Sequence, residues 1–183
     1  LPDFATVTAT VDNVEDLEAF IERNGIVSIE GQGSVKRDGE PMRQKNERAE
    51  YRFDAAGRMT FSNTSYGRSN ATMDTSFLTC VYDAKGRLIE QQRNDHSGRF
   101  AQRDSLDAEG HCLRRTHVRI QEPVTGGYTS AKVTETVISD ERYTYATIND
   151  TAERVTWHND RGLPYREQVF HKDRWRYLRA IED

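Results

Sequence analysis

The sequence predicts a mainly β chain: a strongly curved antiparallel β-meander, an open or half-barrel sheet, with one N-terminal amphipathic helix. Three observations carry this. Short runs rich in Val, Ile, Thr, Tyr and Phe recur from residue 26 onward, separated by turn residues and without helical periodicity. Only DNVEDLEAFIERNG (12–25) spaces its apolar residues as a helix does. One turn motif is written twice, as YRFDAAGRM (51–59) and CVYDAKGRL (80–88), and in degraded form as SLDAEGHCL (105–113).

The elements follow in chain order. ATVTATV (5–11) alternates β-branched residues and predicts a first strand. Asn13 is suited to cap the helix that follows, and Gly25 to end it. Val14, Leu17, Phe20 and Ile21 form its apolar stripe. Strand segments then come at short intervals, among them IVSIE, AEYRF, RMTFS, LTCVY, KVTETVIS, ERYTYATI, ERVTWH, YREQVF and WRYLRAI. Asp38-Gly39, SNTSYGRSNATM (62–73), NDHSG (94–98), EPVTGG (122–127) and NDRG (159–162) supply the joints. About ten strands in one sheet call for curling or closure. No stretch rich in Pro or Gly divides the chain, so residues 1–183 read as a single domain, with the strand and capping helix in 1–25 and the sheet in 26–183.

Composition narrows the classes. Apolar residues make up 35 % and charged residues 31 %, a balance that suits a sheet wet on one face better than a dense globule. The net charge of −4 argues against nucleic acid as a partner. No apolar run reaches the roughly 20 residues of a membrane helix. The chain begins at Leu1, which fits a cleaved signal peptide. Cys80 and Cys112 form neither a metal-ligand pattern nor a disulfide framework, and are expected as free inward-facing thiols.

Asp-x-x-Gly suits a type I turn whose fourth residue is left-handed and makes a bulge. That geometry assigns Asp54, Gly57, Arg58, Asp83, Gly86, Arg87, Asp107 and Gly110 as turn residues, with positive φ at the three glycines. It pairs Asp54 with Arg58, Phe53 with Met59 and Tyr51 with Phe61 across the hairpin. Cys80, Tyr82 and Leu88 take the same face in the second copy, and Leu106 and Cys112 in the third. Asp54/Arg58 and Asp83/Arg87 become cross-strand ion pairs on the other face.

YRFDAAGRM and CVYDAKGRL resemble the YD repeat of bacterial Rhs proteins and animal teneurins, with WHNDRGLPY (157–165) as a further degraded copy. The resemblance implies an antiparallel sheet of such hairpins on the extracytoplasmic side of a bacterial cell. Two full copies are too few to enclose the shell that the long arrays of that family build.

The chemistry-bearing residues point away from catalysis. The repeated Asp and Arg are better explained by turns than by an active site, which would not be written at every hairpin. His96, His111, His117, His158 and His171 show no ligand spacing, so neither metal nor cofactor is expected. His111 stands where the other copies have Arg. His111 and Cys112 should face opposite sides of a strand, as should Cys112 and His117. The aromatic set Tyr143, Tyr145, Trp157, Tyr165, Trp175 and Tyr177 is the candidate binding face for a protein partner or an apolar or glycan ligand. The sequence therefore reads as a non-enzymatic extracytoplasmic binding or scaffold module acting through its sheet. One specific form is an inhibitor or immunity partner of another bacterial protein. The alternative is a periplasmic carrier of an apolar ligand, a half-barrel closed by the helix.

Overall fold

The structure is a computed structural model that describes residues 14–67, 73–121, 133–172 and 178–182. The predicted strand at 5–11, Asn13, Trp175 and Tyr177 lie outside the described residues. Helix α1 (Val14–Arg23) precedes eleven strands: β1 (Ser28–Val35), β2 (Arg43–Phe53), β3 (Met59–Gly67), β4 (Met73–Tyr82), β5 (Leu88–Asp95), β6 (Gly98–Leu106), β7 (Cys112–Gln121), β8 (Thr134–Asn149), β9 (Ala152–His158), β10 (Pro164–Lys172) and β11 (Leu178–Glu182). They form one antiparallel sheet in sequence order. The chain falls into two compact units, residues 1–81 with 91–99, and residues 82–90 with 100–183.

The expected antiparallel meander and helix are present, and of the open and half-barrel forms the sheet takes the open one, without the strong curvature. Strands β1 and β11 are separate ends of the order, and the sheet is neither closed nor strongly curled. The reason lies in the side chains. A sheet curls around a dense apolar face, and here few strands have one. Strand β6 is half-buried at nearly every position, with only Ala101 fully covered. Val81, Leu88, Leu113, Val137 and Ile138 remain exposed. Leu88 is therefore not the inward-facing core residue the turn pattern predicts. Cys112 is half-buried and Cys80 buried, and both are free thiols.

In the first unit, α1 ends in the Schellman arrangement that Gly25 permits. Ile26 N–H donates to the Ile21 carbonyl at 3.0 Å, Gly25 N–H to that of Glu22, and Gly25 has φ +60°. This turns Ile26 back onto Ile21. Ile21, 1 % exposed, packs with Tyr51 and Phe53 of β2, and Leu17, Ile26, Ala49 and Met59 complete the cluster. Phe20 is not part of it. Leu17 and Ile21, one helical turn apart, face the sheet, whereas Phe20 lies about 100° round the helix from Ile21. It is exposed and takes the Arg23 guanidinium over its ring.

In the second unit, Ala101, Val118 and Ile120 form a smaller core. Here the sequence pattern misleads at one place. KVTETVIS and ERYTYATI read as two strands, yet residues 134–149 form one strand of 16 residues. Asp140, a poor strand former, is kept in line by Arg114 of β7. The guanidinium donates two hydrogen bonds of 2.7 Å to its carboxylate. Likewise β3 runs to Gly67, through half of the polar stretch 62–73 that reads as a joint.

Candidate functional site

The repeated turns carry the densest polar chemistry, and the structure shows what it does. In the first copy Gly57 N–H donates to the Asp54 carbonyl and Asp54 N–H to that of Arg58, with Gly57 at φ +76°. Gly86 (+82°) and Gly110 (+104°) repeat the arrangement. Asp54 Oδ1 accepts the N–H groups of Ala56 and Arg58, and its other oxygen faces the Arg58 guanidinium. Asp83 does the same with Lys85 and Arg87. The degraded copy WHNDRGLPY folds alike: Asn159 Oδ1 accepts from Arg161 and Leu163, and Gly162 has φ +76°.

One predicted pairing is overturned. Phe53 opposes Met59 as expected, but the register shifts at Thr60, so Phe61 opposes Arg52 and Tyr51 opposes Ser62. The extra residue turns Phe61 to the other face. There it lies under the Arg52 guanidinium and beside Phe77.

The turn carboxylates are held low. At Asp83 the Arg87 N–H is the largest influence; burial opposes it, and the Arg87 side chain adds to the lowering. At Asp54 burial would raise the carboxyl, but the bonds from Arg58 and Ala56 outweigh it. A carboxyl lowered on folding stabilises the fold above its unfolded value, near 3.8, and loses that contribution as pH falls through the folded value. The two backbone bonds do not need the charge, since uncharged Asn159 accepts the same pair. Asp83→Asn is therefore expected to lower the melting temperature only slightly, because an exposed ion pair contributes little. Asp83→Ala, which strips both backbone bonds, should lower it clearly. Equal losses in the two variants would show that the charge, and not the turn, is what matters.

Asp107, Glu109 and His111 bring their ligand atoms within 4.8 Å of one another. Asp107 is already engaged, however, accepting from the N–H groups of Gly110 and His111 and facing His111 Nδ1 at 2.9 Å. His111 thus replaces the arginine of the other turns, as its position predicts, and stacks on the Tyr145 ring. Burial, then the Asp104 charge, pushes the Cys112 thiol up, which disfavours a thiolate nucleophile.

The aromatic set divides. Tyr143 opposes Trp157 in edge-to-face contact at 5.9 Å between ring centres, and Trp157 meets Phe170. Tyr143 is buried. Tyr145 shares its face, and its hydroxyl donates to the Cys112 carbonyl. These three pack the sheet. Tyr165 differs: the residue is 54 % exposed, and its hydroxyl donates to Glu141 at 2.6 Å. Tyr143 donates to the other Glu141 oxygen at 2.8 Å. Two phenols thus clamp one carboxylate. The Tyr165 bond foremost, against burial and with Tyr143, holds it below the usual glutamate range.

Glu141 lies beside a groove of about 600 Å³ lined by Val137, Ile138, Ser139, Asp140, Asn159, Asp160 and Tyr165. The groove comes from a mismatch in strand lengths. Residues 134–142 of β8 pair with β7, but β9 pairs only with 142–149. Among the described residues, 134–141 therefore pair on one side alone. The turn at Asn159–Gly162 and Tyr165 stand at the step. Of these groove residues the sequence pattern marks Asn159 and Asp160 as a turn and only Tyr165 as a candidate for binding. Glu141 and Val137 carry no local signal, since the offset of two distant strands creates their setting.

No protein-family model matches the chain, and a comparison with curated proteins finds no match either.

Proposed function

We infer that the protein is a non-enzymatic binding module that engages a partner protein through its sheet, at the step in β8, on the extracytoplasmic side of a bacterial cell. The observation that carries this is the exposed strand edge at 134–141, flanked by exposed Val137, Ile138 and Tyr165. Folding gains nothing from leaving these side chains in water, and an exposed edge invites another strand. The resemblance of the hairpins to YD repeats supports the location. The carrier reading has less support: Ile21, Leu17, Tyr51 and Phe53 fill the space beneath α1 with side chains, where a carrier would keep an apolar hollow.

The test is a random peptide library displayed on phage and selected on the folded protein. Enriched peptides should bind wild type and lose at least about tenfold in affinity to Val137→Lys, since hydrophobic anchors at strand edges dominate such contacts. Peptides that bind Val137→Lys as well as wild type, or no enrichment at all, would overturn the reading.

A further inference from the structure

We propose that the open edge of β8 takes one extended segment of a partner protein as an added strand, with an arginine or lysine of that segment set across the Tyr165 ring toward Glu141. The proposal rests on the binding-module reading above and names the chemistry of the partner.

Three features of the step lead there. First, in an antiparallel strand alternate residues direct their N–H and C=O groups to opposite sides. Over 134–141 one of those sides faces β7 and the other is open among the described residues. A strand laid in the groove would satisfy the open groups by main-chain pairing. Second, the usual protection of an edge is missing. Edge strands are commonly blunted by outward charges or proline. Here TVIS (136–139) carries neither, and the neighbouring acids Glu135 and Asp140 are taken up in ion pairs with other strands. Glu135 accepts two bonds of 2.7 Å from Arg103 of β6, and Asp140 is held by Arg114. Val137 and Ile138, adjacent in sequence, present apolar side chains at more than half exposure.

Third, the mouth of the groove is acidic and ready for a cation. Glu141 accepts from the two phenols, and Arg115, which opposes it on β7 and helps lower it, spends its guanidinium on two bonds to Asp104. Among the described residues neither Glu141 nor Asp160 has an ion pair within 4 Å, so the carboxylate can still take a cation from outside. Tyr165 is half-exposed and its ring is pinned through its hydroxyl, so it offers a fixed face over which a guanidinium or ammonium can lie. The same charge pattern argues against a second copy of this chain as the occupant. The edge segment TETVISDE (134–141) contains three carboxylates and no cation, so antiparallel self-pairing centred on it would bring Thr134, and no cation, opposite Glu141.

The experiment uses the intact protein and a fluorescently labelled peptide of about nine residues, the length of a typical strand, alternating Val and Thr around one central Arg. Four companions have N-methyl groups on alternate amides of one edge, N-methyl groups on those of the other edge, Glu in place of the Arg, or Gln in place of the Arg. Fluorescence anisotropy should show saturable binding of the Arg peptide. N-methylation on the pairing edge should weaken it more than about tenfold, since several main-chain hydrogen bonds are lost together. The Glu peptide should bind more weakly than the Gln peptide. Glu141→Gln, whose amide oxygen accepts from one phenol while its NH2 donates to the hydroxyl oxygen of the other, should weaken the Arg peptide roughly three- to tenfold and leave the Gln peptide unchanged. Indifference to N-methylation at both edges would overturn strand addition. Equal binding of Arg, Gln and Glu peptides would overturn the cation. If library peptides are displaced by Val137→Lys yet carry no basic residue, the binding module stands and this proposal falls. A concentration-dependent dimer abolished by Val137→Lys would identify the occupant as a second copy, which also overturns it.

Discussion

Gly57→Val is expected to lower stability by roughly 2–5 kcal/mol, well beyond the same change at Gly162. Both glycines sit at φ +76° in homologous turns, so both variants bear the cost of a side chain in the left-handed region, about 1–2 kcal/mol and more for a β-branched residue. What differs is the surroundings. A Cβ at Gly162 meets nothing within 4 Å, whereas at Gly57 it would run into the Glu18 carbonyl and the Glu22 nitrogen. Those are backbone atoms of α1, so they cannot swing aside as a side chain does. Overpacking of this kind adds about 1–3 kcal/mol. For a chain of this length the total corresponds to a fall in melting temperature of roughly 5–15 °C. The first turn is thus also the seat of the helix, which the other turns are not. Thermal melts of Gly57→Val and Gly162→Val, with amide exchange of α1 as the local readout, decide the matter. Equal losses, with α1 protection unchanged in both, would mean that the helix does not rest on this turn.

The contrast between Gly57 and Gly162 also shows what can be read from sequence here. Both positive φ values follow from Asp-x-x-Gly, because a type I turn with its bulge is specified within five residues and needs nothing from afar. The clash at Gly57 needs the helix laid on the turn, and no local pattern encodes that. The same division runs through the rest of the fold. The cap at Gly25 and the Phe53/Met59 pair are local and legible. The bulge at Thr60 is one unannounced residue, and it carries Phe61 to the opposite face. Strand β8 reads as two because Asp140 is judged without Arg114, its partner 26 residues away. The site is the extreme case. Tyr165 is visible as an aromatic, but its exposure, the clamp on Glu141 and the free edge at 134–141 arise where β7 and β9 end at different points along β8. The expected strong curvature fails for a related reason: strand count suggests curling, whereas curling depends on how many apolar side chains share a face.

Ile21→Ala is expected to cost about 2–5 kcal/mol, the range for removing a fully buried aliphatic side chain and leaving a cavity. Ile21 is 1 % exposed and is the contact through which α1 holds Tyr51 and Phe53. The loss should be local in character. With one helix resting on an open sheet, the lowest opening is the lifting of α1, so its amides should lose protection before those of the strands. This leads to a sharper expectation for the pair. If Gly57→Val acts by pushing α1 off the turn, then lifting α1 relieves the clash and leaves only the left-handed backbone cost. In Ile21→Ala with Gly57→Val the combined loss should therefore fall short of the sum by about 1–3 kcal/mol, the size of the overpacking cost. Ile21→Ala with Gly162→Val, whose glycine lies in the other compact unit with open space around it, should be additive within about 0.5 kcal/mol. The two double mutants share one mutation and one φ, so the difference between them isolates the helix–turn contact. Additivity in both would place Ile21 and Gly57 in independent interactions, and the reading of the first turn as the seat of α1 would be lost.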